Sequence, residues 1–423
     1  MPLNSIKGEY IPSFFSIILK TDEDISVAIE KNESTFIHEF IHYLQDLILP
    51  YTIRVNLSNI RWFLNIQQFA INNGYIKRPF KEWDYDANLT KLQYSYTMGT
   101  DYFVDDVKDI GNPIVISKEQ EGFDASFSNK QRKFNVYKYS IPINNGSETY
   151  NLGARDLLEY IAHKIEVRHY PSYDKVSQLP YQSVDLLFEK YGLSYLPEDI
   201  RLCIAECCLY NDNPMHFLFS QFLKNSENKQ ILARLRLNYA DTYEFLLSIM
   251  FETTDNIVET LSHKRKRRLE QFRDNLGLSY FHFPKIVSWI SKVSFFSTER
   301  LSERFIFSDI YKMSNTEFLN FIQEVISTIG VPLVMNKKGQ YISLPNMSKD
   351  ADQFIQFYIL QEFLMFIDCK SKSCPIQKLC QANYDLVCRR TQIFDRQKRI
   401  NQCEKCPLLE FLSPYGLSNI QYR

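Results

Sequence analysis

The apolar positions of the chain alternate between two periods. Around residues 13 to 30, the apolar SFFSIIL, a polar turn TDED and ISVAIEK with alternating apolar positions predict a hairpin of two strands. NESTFIHEFIHYLQDLIL then switches to helical spacing, with Asn32 or Ser34 available as N-cap. A second helix, SNIRWFLNIQQFAI, is predicted to close at the Asn-Asn-Gly of residues 72 to 74. From about 85 to 150 the pattern reads as short Tyr- and Val-containing strands broken by turns such as DIGNP and NNGSE. Helical periodicity returns at Leu152 and dominates to about residue 330. GVPLVMNKKGQYISLP reads as one hairpin, and DADQFIQFYILQEFLMFI as a helix. The fold class expected is α+β, mostly helical. Three regions are expected: a core over 1–175 with a β-rich insertion at about 85–150, a helical region over 176–345, and a cysteine-rich region over 346–423.

On the first long helix, Ile37, Phe40, Ile41, Leu44 and Ile48 form one apolar stripe. His38, His42 and Gln45 form a second stripe, roughly on the other side. His38-Glu39-Phe40-Ile41-His42 matches HExxH: residues four apart lie one above the other, so both imidazoles can reach one cation. Glu39 sits about 100° round the helix, where its carboxylate can hold a water without ligating the ion. The competing reading is two surface histidines on an amphipathic helix.

Two imidazoles hold zinc poorly, and catalytic zinc sites use three protein ligands plus water. Position 45 is Gln and position 48 is Ile, so HExxHxxGxxH is excluded and the third ligand must come from another element. NLGARDLLEYIAHKIE is the best candidate. Its Leu158, Ile161, Ala162 and Ile165 make an apolar stripe, while Arg155, Glu159, His163 and Glu166 share the polar one. Glu159 leads, with His163 and Glu166 behind it. Glu206, in the apolar LCIAECCL, is an outside candidate because a buried carboxylate needs a partner.

FIHEFIHYLQDL followed at long range by LGARDLLEYIAHKIE resembles a group of largely uncharacterised bacterial proteins carrying HExxHxxQ and a later LGAxxLxExxA helix. These are in turn similar to gluzincin metallopeptidases at the two helices only, and no fold is carried over beyond them. The resemblance implies a zincin-like pair of helices, zinc ligands His38, His42 and Glu159, and Glu39 as general base toward a metal-activated water. His163, one turn beyond Glu159, would contact a ligand or a developing oxyanion, with His169, Tyr170 and Arg155 as further candidate donors. A cytosolic metallopeptidase acting on a protein or peptide is the expectation. A zinc hydrolase of small amides or esters, and a non-catalytic zinc-stabilised interaction module, stay open.

Composition limits the remaining choices. Only 12 glycines are present in 423 residues, and neither GxGxxG nor GxxxxGK[ST] occurs, which argues against nucleotide binding through those motifs. A net charge of -1 supplies no field toward nucleic acid or anionic membranes. The basic run Lys264 to Arg268 reads as a solvated helix face. No segment reaches the roughly 18 apolar residues of a membrane span, and the N-terminus lacks a signal-peptide pattern, so a cytoplasmic location is expected. Of nine cysteines, six crowd into residues 369 to 406. In that context the spacing suggests a structural Cys₄ zinc site on Cys374, Cys380, Cys403 and Cys406, with Cys369 and Cys388 as substitutes and an iron–sulfur cluster as the alternative. Cys203, Cys207 and Cys208 are expected to pack inside a helix.

Overall fold

The computed structural model describes residues 3–4, 8–11, 15–105, 114–121, 131–143, 146–171, 176–235, 238–250, 260–277, 283–301, 304–345, 351–368, 374–383 and 406–423. Strands β1 (Leu3–Asn4), β2 (Gly8–Ile11) and β3 (Ser16–Leu19) lead into helices α1 (Ile25–Lys31), α2 (Glu33–Ile48) and α3 (Pro50–Asn73). After β4 (Tyr75–Ile76) and α4 (Tyr85–Met98) come the long strands β5 (Ile114–Glu121), β6 (Gln131–Ile143) and β7 (Gly146–Leu152). Helices α5 (Ala154–His169), α6 (Ser183–Lys190), α7 (Glu198–Cys208), α8 (Pro214–Phe217), α9 (Ser226–Leu235) and α10 (Tyr239–Met250) follow. Next are α11 (Leu261–Gly277), α12 (Pro284–Phe295), α13 (Ile306–Lys312) and α14 (Asn315–Thr328). The chain ends with β8 (Val331–Asn336), β9 (Tyr341–Leu344), α15 (Ala351–Asp368), α16 (Gln377–Asn383), α17 (Pro407–Leu412) and β10 (Gln421–Tyr422). The protein is thus mostly helical with small sheets, as the two periods predict.

Two elements differ from expectation. ISVAIEK is helix α1 and not the second strand of a hairpin. Both edges of β3 are already taken, by antiparallel β2 and by parallel β8, so the segment has no edge on which to pair. Residues 85–98 form a helix where strands were expected. Asp84 caps it by accepting a hydrogen bond from the Ala87 amide at 2.7 Å. The strands of the insertion begin only at Ile114, in a three-stranded antiparallel sheet β5-β6-β7.

The principal sheet has the order β1-β2-β3-β8-β9. Its one parallel pairing joins Ile17 to Val334, and β10 pairs with β4 through Gln421 and Tyr75. Elements far apart in sequence therefore complete one another, and one continuous hydrophobic cluster runs from Tyr10 to Ile420. Residues of all three expected regions contribute to that cluster. Among the described residues no helix is long and apolar enough to cross a membrane.

Helix α2 lies in the middle of this core. Pro50 forces Leu49 into an extended conformation, which ends α2 and starts α3. Every residue from Thr35 to Ile48 is buried, so both the apolar and the histidine stripes have partners. The sheet covers one side through β2 and β3, and α5 covers the other. The entry to α5 is set by Gly153, where a Cβ would lie 2.3 Å from backbone atoms of Met98 and Gly99. Only a glycine permits that crossing. The Asp156 carboxylate then accepts from the Gly153 amide at 2.9 Å and fixes the first turn.

Candidate metal centre

Helices α2 and α5 bring His38, His42 and Glu159 together. The two Nε2 atoms are 3.2 Å apart, and they stand 3.2 and 3.3 Å from Glu159 Oε2. All three side chains are buried, with exposures of 3%, 1% and 0%. The competing reading of two surface histidines is therefore excluded. The α2 stripe that carries them faces α5, not solvent.

The proton inventory shows what such a triangle requires. Gln45 Nε2 donates to the Leu158 carbonyl at 2.9 Å, which fixes the amide orientation because that oxygen can only accept. Gln45 Oε1, at 2.8 Å from His42 Nδ1, must then accept from an Nδ1–H. His38 Nδ1 lies 2.9 Å from Glu166 Oε2 and donates to that carboxylate. With both Nδ1 atoms donating, each neutral imidazole turns an Nε2 lone pair toward Glu159. A single proton can bridge one edge of the triangle and leaves a remaining pair facing lone pair to lone pair. A cation at the centre satisfies all three. A tetrahedral ion with bonds of about 2.0 Å spaces its ligands roughly 3.3 Å apart, and the observed edges match that spacing. This group could hold a metal ion; it is the one compact set of three candidate ligand atoms among the described residues.

The electrostatics agree. Burial alone would lower the His38 pKa, yet the facing Glu159 and Glu166 carboxylates raise it well above its usual value. Burial would raise Glu159, but the charges and hydrogen bonds of His42 and His38 hold it far below the ordinary carboxylate range. Glu166 is held down likewise, against burial, by His163, His38 and the Ser34 hydroxyl. With no metal present these carboxylates favour a proton on His38, and a cation at the centre would take the place of that proton.

Glu166 therefore sits on Nδ1 of His38, away from the nitrogen that faces Glu159, where a carboxylate sets the tautomer and orientation of the ring. His163 Nδ1 is 3.9 Å from Glu166 Oε2, an ion-pair distance and not a hydrogen bond, and its ring packs 5.0 Å from Tyr181. Arg155, also buried, places Nε 3.8 Å from Glu159 Oε1 and donates to the Thr100 carbonyl. His169 and Tyr170 are engaged elsewhere. His169 sits 3.1 Å from both Asn315 Oδ1 and the Ile310 carbonyl, and Tyr170 donates to Glu33. Glu206 finds its partner away from the site, accepting from the Ile306 and Phe307 amides at the start of α13.

Glu39 is fully buried beside the three candidate ligands, close enough for its charge to act on His38 and Tyr181. Strand β2 crosses over it. A Cβ on Gly8 would lie 2.4 Å from Glu39 Oε1, so this glycine is the space into which the carboxylate fits. Tyr10, two residues on, stacks 6.4 Å from the His42 ring and donates to Asp46. The sequence pattern did not point to Gly8 or Tyr10, nor to Tyr181. Tyr181 packs edge-on 5.9 Å from His38, and burial, with Glu159, Glu39 and Glu166 adding, raises its hydroxyl pKa so that it stays protonated. No local periodicity marks it, because its contact with α2 spans about 140 residues of chain.

In the tail, three of the four expected cysteine ligands fall on described residues: Cys374 and Cys380 are buried and Cys406 is half-buried. Cys374 lies just before α16, Cys380 within it and Cys406 at the N-cap of α17. Cys369, Cys388 and Cys403 lie outside the described residues. Cys203, Cys207 and Cys208 pack inside α7. The basic run lies on α11, with Lys266 and Arg267 exposed, but Arg265 turns inward to donate to the Ser297 carbonyl. Comparison with models of known protein families, with curated proteins and with solved structures finds no match.

Proposed function

We propose that the chain is a zinc-dependent hydrolase with His38, His42 and Glu159 as ligands and Glu39 as general base. The observation that carries this reading is the convergence of His38 Nε2, His42 Nε2 and Glu159 Oε2, with a carboxylate next to the first histidine on the same helix. A structural zinc site closes its coordination with four protein ligands, whereas three leave a place for water. The local likeness to gluzincins at the HExxH and Glu helices points the same way, toward a peptide bond as substrate.

Zinc at this position would lower the pKa of a water and polarise a carbonyl. Glu39 takes the proton of the attacking water and passes it on to the leaving amine. The protonated Tyr181 hydroxyl is the donor suited to the developing oxyanion, with His163 held beside it. Gln45 and Glu166 keep both imidazoles in the tautomer that the ligand role requires. A second reading, a hydrolase of small amides or esters, draws on the near-complete burial of the four side chains, which suits a small substrate.

The test is a comparison of the parent with Glu39→Gln on a degenerate peptide pool, read by mass spectrometry, with zinc content measured in parallel. The parent should cleave, and the variant should keep its zinc but not cleave. Equal cleavage by both would remove Glu39 from the mechanism. A zinc-loaded parent that spares peptides but hydrolyses small amides would select the second reading.

A further inference from the structure

The histidine stripe of α2 continues one turn toward the start of the helix. Ser34, His38 and His42 are spaced four apart, so they stand one above another on the face turned to α5. Asn32 occupies the N-cap of α2, and Ser34 lies inside the first turn, half-buried. Instead of capping α2, its hydroxyl crosses to α5 and donates to Glu166 Oε1 at 2.5 Å. Glu166 thus uses both oxygens on donors of α2, Oε1 on Ser34 and Oε2 on His38 Nδ1 at 2.9 Å. A carboxylate held by one bond still turns freely about its last side-chain bond. Two bonds to positions one turn apart on the same helix fix its plane.

That restraint matters because Glu166 has alternatives. Its side chain is 21% exposed, on the last turn of α5, and His163 Nδ1 lies 3.9 Å from the same Oε2. Water or His163 can claim the carboxylate once the Ser34 hydroxyl is gone. The His38 ring, only 3% exposed, would then carry a buried Nδ1–H with no acceptor, a loss that the ring can relieve by turning. Turning moves Nε2 away from Glu159 and His42.

We propose that Ser34 is a positioning residue of this centre: through Glu166 it holds the His38 ring with Nε2 toward Glu159 and His42. Its effect on zinc rests on the reading of the site as a zinc centre, whereas its hold on the ring does not.

The hold is read without metal, from the imidazole N–H signals of the full chain by nuclear magnetic resonance, with His38 identified by the signal missing in His38→Gln. The parent should show a His38 Nδ1–H protected from exchange with water. Ser34→Ala, which suits a helix and keeps the fold, should lose that protection, and Ser34→Thr, which returns a hydroxyl, should restore it. Zinc affinity, from competition with a chelator, should fall about tenfold in Ser34→Ala and recover in Ser34→Thr. Tyr170→Phe removes a different bond to the same turn of α2, the one to Glu33, and should change neither readout. A parent with the expected ring signals that takes up no zinc would remove the zinc reading and leave the hold of Ser34 on the ring supported. A protected His38 signal in Ser34→Ala, its loss in Ser34→Thr as well, or parent-like zinc affinity in Ser34→Ala would overturn the proposal.

Discussion

Replacing Gln45 with leucine tests whether the candidate ligands are held in one tautomer by design of the fold. In the parent, Gln45 accepts from His42 Nδ1 at 2.8 Å and donates to the Leu158 carbonyl at 2.9 Å. It thereby couples the second histidine to the residue before Glu159. Leucine keeps most of the volume and removes both bonds. The His42 Nδ1–H is then buried without an acceptor, at a cost of about 1–3 kcal/mol. The Leu158 carbonyl loses less, because a carbonyl in mid-helix keeps its intrahelical bond. A total of about 2–3 kcal/mol of stability should be lost. Metal affinity should fall by about 10–100-fold, the range for removing a partner that orients a histidine ligand. Gln45→Glu separates the two effects, since it keeps the acceptor for His42 but sets a charge against the Leu158 carbonyl. It should lose stability while binding metal within about tenfold of the parent. Competition with a chromogenic chelator gives the affinities, and urea unfolding gives the stabilities. Parent-like metal affinity in Gln45→Leu would refute the tautomer argument.

Two further outcomes are expected. Gly8→Ala should keep its metal yet lose Glu39-dependent hydrolysis, because the new Cβ would meet the carboxylate at 2.4 Å and force it aside; the stability cost should be about 1–3 kcal/mol. Parent-rate hydrolysis by metal-loaded Gly8→Ala would contradict this. For Glu206, burial pushes the carboxyl up to about 8 despite the Phe307 and Ile306 amides and the Arg265 charge. Its folded value lies above the unfolded one, so its contribution to stability is complete below about pH 4.5 and is lost as pH rises through about 8. Between about pH 5 and 8.5 the thermal midpoint should therefore fall more in the parent than in Glu206→Gln. Equal slopes would show that Glu206 does not titrate in that window.

Much of this molecule is legible in its sequence, and the rest fails for identifiable reasons. The α2 helix, the β8–β9 hairpin, α15 and the approach of Glu159 to the histidines follow from periodicity and spacing. ISVAIEK fails because its seven residues fit a period of two as well as a period of 3.6, and only the occupied edges of β3 decide between them. The helix at 85–98 is only half-buried, with Ala87, Thr97 and Met98 as its buried residues, so its apolar spacing carries little periodic signal, and its clearest mark is the Asp84 cap. At the site, ligands spaced by helical geometry are visible, but the groups that tune them are not. Gly8, Tyr10 and Tyr181 reach α2 through tertiary packing, for which a single sequence holds no spacing rule.

The central claim is that His38, His42 and Glu159 hold one zinc ion, and anomalous diffraction at the zinc absorption edge tests it most directly. Crystals of the zinc-loaded full chain should show a peak about 2.0–2.2 Å from His38 Nε2, His42 Nε2 and Glu159 Oε2, with a fourth position filled by water. A zinc-saturated crystal with no peak between these three atoms, or with the ion bound only elsewhere, would contradict the account.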